Sequence, residues 1–424
     1  MARHTSCDNP AAERRGVRHC RFPQVSGAYG SSRRPRTRRL DPAVYRRRRV
    51  GVALTAVVTA ALLFGIVSLI EGGGPTSQGP TTSTTTTLPR LRPTGIGLKT
   101  VTWTDTDPNA GLVVNPAPGG SAGPRTLVTE IFYPAIGGSM KTPATDLEPD
   151  YRGGPFPVIV FAHGFDTLPA TYKPLLSSWV MGGFVVVAPL FPDENANKIN
   201  SLVPRTVTQS ELAESDVVNE PYDIAYVTGE VESAASGAAS SGAAWLKGLA
   251  EPGKIALAGH SDGAQAVAAL VYAEKYAATY EAMPSRPFGV VVLSGSELSG
   301  TYAPPAEAPA VLFVQSAVDG CNLPQEAGTL FHDAGGGFFL ELSGAHHFSP
   351  YVGVGPAAPT VERLTAAFLK SALAGTPSLK KLSAFDTSPG VAKLYGPLKP
   401  PVITPLAEPS QAERSAACTV PSTS

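Results

Sequence analysis

The chain has 424 residues, 34 Lys+Arg against 34 Asp+Glu, and a formal net charge of zero, so taken whole it lacks the basic surplus of a nucleic-acid binder. Charged residues make up 16% and apolar residues 43%, which leaves material for a sizeable core and excludes wholesale disorder. The neutrality is a sum over unlike parts. Residues 1–49 hold 14 Arg, no Lys and three acids, a balance of +11, and residues 71–424 carry −11.

Residues 1–49 show no hydrophobic periodicity and read as a disordered basic tail. Val50 to Ile70 follows, 21 residues without a charge. As a helix it would span roughly 31 Å, about one hydrocarbon core. Arg46 to Arg49 abut its N-terminal end, which predicts a cytoplasmic tail and a chain that continues outside the membrane. The alternative is a cleaved signal peptide, but the apolar run exceeds the usual h-region and lacks a small-x-small site after it. Residues 71–94, rich in Thr, Pro and Gly, read as an extended stalk.

Residues 95–375 carry globular patterning. Thr100 to Thr104 and Leu127 to Tyr133 read as strands. Val158 to Ala162 and Phe184 to Pro189 are short continuous apolar runs, expected of strands buried on both faces. Ala170 to Met181 reads as a helix, and Asn219 to Leu249 as a long Ala-rich helical region with Gly237 as a candidate interruption. Next come strand Ile255 to Ala258, helix Ala264 to Met283, strands Gly289 to Leu293 and Ala310 to Gln315, a short helix, strand Phe338 to Leu342 and helix Thr360 to Ala374. This alternation predicts an α/β fold, a mostly parallel sheet flanked by helices. Ligands of such sheets bind at the carboxyl ends of the strands. The Pro-rich residues 376–424 are a C-terminal extension that either packs on the domain or trails free.

G-x-S-x-G occurs twice. Gly119 to Gly123 sits in a Pro/Gly-rich loop and reads as plain loop. Gly259-His260-Ser261-Asp262-Gly263 lies between strand KIALA and helix AQAVAALVYAEKY, the context of a nucleophile elbow. A serine hydroxyl needs a base to take its proton. Of seven His, two lie in the tail, His163 and His260 sit inside other motifs, and His332 falls on a surface helix. His346 and His347 follow strand GFFLEL, where the base is expected, late in the chain. His347 is preferred and His346 is the alternative. Asp319, beyond strand VLFVQS, has the place of the acid that orients the base. The oxyanion hole is assigned to the N–H of Asp262, after the nucleophile, and that of Phe165, in the turn after VIVFA.

VIVFAHGF, GHSDGA, the Asp after FVQSAV, and GAHHF, in that order, resemble the α/β-hydrolase superfamily. TLVTEIFYPA and DVVNEPYDIAYV look like the branch containing platelet-activating factor acetylhydrolases, chlorophyllases and dienelactone-hydrolase-like proteins. The resemblance covers about residues 95–375. It implies a serine esterase facing outward or toward the membrane, without a cofactor, and it supports His347 as the base. The elbow departs from the common pattern, with Asp262 and Ala264 where a bulky apolar residue and a second Gly are usual.

The expected function is hydrolysis of a small-molecule or lipid ester through an acyl-enzyme, displayed outside the membrane. Residues 191–215 and 294–309 are the expected pocket walls, and without a long lid a short or medium acyl group fits best. The alternatives are an acyltransferase acting on envelope glycolipids and a non-catalytic envelope protein on the same fold. Of the four cysteines, Cys321 and Cys418 would lie in an oxidising compartment and read as a bridge tying down the C-terminus. The alternative there is two unpaired thiols.

Overall fold

The structure, a computed structural model, describes residues 93–106, 123–202, 206, 214–238, 242–385, 390–397 and 401–421. The tail, the Val50 to Ile70 segment, nearly all of the stalk and most of the first G-x-S-x-G lie outside the described residues. Among the described residues no helix is long and apolar enough to cross a membrane.

Among the described residues eleven strands form one sheet. They are β1 (Gly95–Asp105), β2 (Arg125–Ile136), β3 (Ala144–Thr145), β4 (Glu148–Pro149), β5 (Phe156–Ala162), β6 (Val185–Leu190), β7 (Ala250–His260), β8 (Gly289–Leu293), β9 (Ala310–Ser316), β10 (Phe338–Leu342) and β11 (Ala392–Tyr395). The order is β11-β10-β9-β8-β7-β5-β6-β2-β1-β3, with β4 paired to β2 off this path. Neighbours from β6 across to β10 run parallel. Strands β2 and β11 join the two sides of that block antiparallel.

The described α-helices are α1 (Lys173–Met181), α2 (Ala196–Ser201), α3 (Glu220–Ser236), α4 (Asp262–Tyr272), α5 (Ala277–Ala282), α6 (Pro324–Asp333), α7 (Ala358–Leu373), α8 (Leu379–Ser383) and α9 (Gln411–Ala417). The sheet is apolar on both faces, and successive side chains alternate between them. Val158, Val160 and Ala162 of β5 pack with Ile224, Val227 and Val231 of α3 and Val267 and Leu270 of α4. Ile159 and Phe161 face the other way, onto Leu175 and Trp179 of α1 and Leu364 and Phe368 of α7. Trp179 is fully buried, with its indole N–H donating to Thr365 Oγ1 at 2.9 Å. Truncating a side chain of this kind costs about 3–5 kcal/mol.

The α/β architecture and the strand positions agree with the sequence reading, as does the interruption at Gly237, while the helix read over Ala264 to Met283 needs correction. The region Asn219 to Leu249 is not one helix. It stops at Gly237, whose φ of 83° is left-handed, and the N–H groups of Gly237 and Ala238 turn back onto Ala234 and Ser233. A glycine takes that conformation without a Cβ penalty and so ends the helix. The span Ala264 to Met283 breaks at Ala273, which turns extended and pairs with Tyr302. The Tyr272 carbonyl accepts from Ala303 N–H and Glu274 N–H donates to Thr301 O. Backbone pairing with a distant loop thus overrides local alanine propensity. The C-terminal extension packs, with β11 antiparallel on β10.

Strand β5 has β6 on one side and β7 on the other, so the chain's progress across the sheet reverses here. A crevice opens where neighbouring connections leave in opposite directions. The turn after β5 and Ser261 after β7 both emerge there.

Candidate active site

Ser261 joins β7 directly to α4 with φ 55° and ψ −122°, a sparsely populated conformation for a non-glycine residue. Both flanking glycines are required by close backbone approach. A Cβ on Gly259 would lie 2.2 Å from Gly263 O, and one on Gly263 would lie 2.3 Å from Ala162 O. Gly259→Ala is therefore expected to destabilise the domain by about 3 kcal/mol or more, read as a lower denaturant midpoint. A midpoint within error of wild type would contradict this packing.

His347 Nε2 lies 2.9 Å from Ser261 Oγ, and His347 Nδ1 lies 2.8 Å from Asp319 Oδ2. Relative exposures of Ser261, His347 and Asp319 are 5%, 1% and 0%, so the three form one buried hydrogen-bonded line. Asp319 has further partners. Its Oδ1 accepts from the N–H groups of Cys321 at 2.9 Å and Asn322 at 3.2 Å, and its Oδ2 from Gln315 Nε2 at 3.4 Å. Such contacts fix the carboxylate and leave Oδ2 for the imidazole. His346 is exposed, so of the two adjacent histidines only His347 meets Ser261 and Asp319.

The turn after β5 lies against this line. A Cβ on Gly164 would come 2.9 Å from Ser261 Cβ. The N–H of Asp262, at the first position of α4, has no intrahelical acceptor. Phe165 sits at the same turn, directly after Gly164.

Two buried histidines tie these loops together. Tyr172 O–H donates to His260 Nδ1 at 2.9 Å while its oxygen accepts the Gly164 N–H at 3.2 Å. His260 Nε2 donates to the His347 carbonyl at 3.1 Å. His260 thus links the β5 turn to the loop carrying His347. Burial, then the nearness of His347, holds its pKa well below the usual value, so it is a neutral strut. His163 is likewise lowered, to about 4, by burial. It accepts from Phe191 N–H at Nε2 and donates from Nδ1 to Gly164 O. The sequence reading set both histidines aside because they sit inside other motifs, and the Tyr172, His347 and Phe191 partners are remote in the chain.

Acidic groups gather on the α3 side. Asp166 N–H donates to the Glu194 carbonyl at 2.9 Å, holding the turn after β5. Burial, then Glu220, pushes the Glu194 carboxyl well above the usual range. Glu220 is raised too, by burial first and with Asp262 adding to it. Burial and mutual repulsion thus both favour the protonated form in this pair. Asp262 is pushed up to about 8 by burial and then by Glu214. Nearby, Arg125 at the start of β2 grips Asp216 at 2.7 and 3.1 Å and Asp223 at 2.7 and 2.9 Å. That buried fork secures the segment leading into α3 to the sheet. The pairing of these groups was not legible from the sequence. Among the described residues no His/Cys/Asp/Glu group is arranged to hold a metal ion.

The raised Asp262 has a consequence for stability. Its folded pKa exceeds the unfolded value, so its stabilising contribution is complete at low pH and is lost as pH rises from about 4 to about 8. Asp262→Asn removes this titration. The variant should gain on wild type progressively over that window, by up to about 5 kcal/mol near its upper end if the whole shift is expressed. Urea midpoints across the window check this, and a pH-independent difference would contradict it.

No protein-family model and no curated protein matches the chain. Among solved structures it is similar to a ferulic acid esterase from Streptomyces cinnamoneus, with 19% identity and a TM-score of 0.47, over 69% of this chain and 94% of that one.

Proposed function

We propose that the chain is a serine hydrolase of the α/β-hydrolase superfamily that cleaves carboxylic esters. The observation that carries this reading is the buried line Ser261–His347–Asp319, with contacts of 2.9 and 2.8 Å, on an elbow at the sheet's switch point. Ser261 Oγ attacks the ester carbonyl while His347 Nε2 takes its proton. Asp319 holds the Nδ1–H tautomer and stabilises the imidazolium. The oxyanion of the tetrahedral intermediate is received by the N–H groups of Phe165 and Asp262. Collapse breaks the ester C–O bond, and His347 returns its proton to the departing alcohol. Water, deprotonated by His347, then attacks the acyl-serine and frees the acid.

The branch with platelet-activating factor acetylhydrolases, chlorophyllases and dienelactone-hydrolase-like proteins remains part of this proposal. The segments that suggest it are TLVTEIFYPA, on β2, and DVVNEPYDIAYV, leading into α3. Anchorage through Val50 to Ile70, with the domain outside the membrane, belongs to the same proposal. The Cys321–Cys418 disulfide supports it, because disulfides persist in oxidising compartments.

The test is turnover of p-nitrophenyl esters of graded acyl length by the wild type and by Ser261→Ala. Wild-type hydrolysis favouring short and medium chains, lost in the variant, is the expected result. Equal rates for both proteins would sink the serine mechanism.

A further inference from the structure

We propose that the C-terminal extension, stapled through Cys321–Cys418, is a positioning element for Asp319. The proposal rests on the Ser261–His347–Asp319 reading above. Asp319 sits on the loop after β9, and its outer oxygen is held by the N–H groups of Cys321 and Asn322. Cys321 is therefore two residues from the acid and in direct hydrogen-bond contact with it. The same residue is bonded through sulfur to Cys418, just past α9, with Cα atoms 4.9 Å apart.

The disulfide does not act alone. Arg414 of α9 donates to the Cys321 carbonyl at 2.9 Å. Cys321 is thus gripped from the extension at both its side chain and its backbone. Arg414 also meets Glu408 at 3.1 Å and Glu326 of α6 at 3.8 Å. Gln325 makes a paired contact with Leu406, giving and taking one hydrogen bond at 3.0 Å each. A Cβ added to Gly320 would come 3.3 Å from Ala417 Cβ, so α9 lies directly on the acid loop. The loop's own ties are Gln315 Nε2 to Asn322 O at 2.9 Å and Asn322 Nδ2 to Ser294 O at 2.6 Å, while between them and Asp319 lie Gly320 and Cys321, the residues that α9 contacts. Cys321–Cys418 closes 97 residues of chain, and the extension has no other covalent tie to this loop.

The physical consequence is angular. A carboxylate that orients an imidazole must be held to a fraction of an ångström, and small misplacement costs rate without costing substrate binding. Opening the clamp frees the Cys321 N–H to wander, and Asp319 loses one of the donors that keep Oδ2 on His347. The effect should fall on kcat and spare KM.

The experiment uses the full chain, with p-nitrophenyl acetate turnover and fluorophosphonate labelling as readouts. Cys418→Ala is compared with wild type before and after a dithiol. The dithiol passes two electrons and two protons to the cysteines, giving two thiols and its own cyclic disulfide. Cys418→Ala is expected to lower kcat about tenfold with KM unchanged, and Arg414→Ala, which keeps the disulfide, about threefold. Reductant should bring the wild type to the Cys418→Ala rate and leave that variant unaffected. The downfield proton of the His347–Asp319 hydrogen bond should broaden in the reduced protein while far-ultraviolet circular dichroism is retained. Wild-type kcat in Cys418→Ala, or a loss that merely tracks the fraction of folded protein, overturns the proposal. If oxidised wild type is not labelled, the serine reading and the clamp fall together. A labelled wild type with a fully active Cys418→Ala variant overturns the clamp alone.

Discussion

His347→Ala should lower kcat for p-nitrophenyl acetate by roughly 10⁴- to 10⁶-fold, with a much smaller change in KM. The imidazole is the only titratable side chain that the structure brings to Ser261 Oγ among the described residues, at 2.9 Å. Without it the hydroxyl must lose its proton to water, and a serine hydroxyl at its ordinary acidity is a poor nucleophile. The neighbouring histidines do not substitute. His346 is exposed, and His260 has both ring nitrogens committed, one to Tyr172 and the other to the His347 carbonyl. His346→Ala is the control and should stay within about twofold of wild type. Steady-state kinetics on both variants decide the matter. A large loss in His346→Ala with a mild one in His347→Ala would reverse the assignment.

Asp319→Asn should cost about 10³- to 10⁴-fold in kcat while leaving the fold nearly intact. The amide is the same shape as the carboxylate, so the N–H groups of Cys321 and Asn322 can still bond its oxygen. What changes is the face toward His347. A carboxylate Oδ2 at 2.8 Å accepts from Nδ1–H and leaves Nε2 as the lone-pair nitrogen toward Ser261. An amide NH₂ at that place donates, which selects the opposite tautomer and puts a proton on Nε2. Ser261 then has no acceptor for its own proton. The loss should appear in kcat with little change in KM, and urea midpoints should move by no more than about 1 kcal/mol. A near-wild-type rate in Asp319→Asn would remove Asp319 from the mechanism.

The sequence-visible parts of this site share one property, which is that each is local. The G-x-S-x-G at Ser261 is legible because strand, turn and helix are contiguous, and the close contacts of Gly259 and Gly263 leave no other residue type. Asp319 and His347 follow strands, so chain order alone places them at one sheet edge. Choosing between His346 and His347 is another matter, since one residue reverses which side chain turns inward. The parts that sequence did not disclose are long-range. The Tyr172–His260 contact spans 88 residues and the His260–His347 contact 87. Arg125 meets Asp216 and Asp223 across 91 and 98. Neither local periodicity nor motif spacing encodes which polar side chains will be buried together. The same holds for the end of α4, where alanine-rich propensity continues past Ala273 but pairing with Tyr302 prevails.

Covalent capture of Ser261 is the decisive measurement. Wild type would be treated with a biotinylated fluorophosphonate and digested, and the adduct located by mass spectrometry. A single modified peptide carrying the phosphonyl group on Ser261 is expected, with no labelling of Ser261→Ala and sharply slowed labelling of His347→Ala. An adduct on another serine, or a wild type that does not react at all, would contradict it.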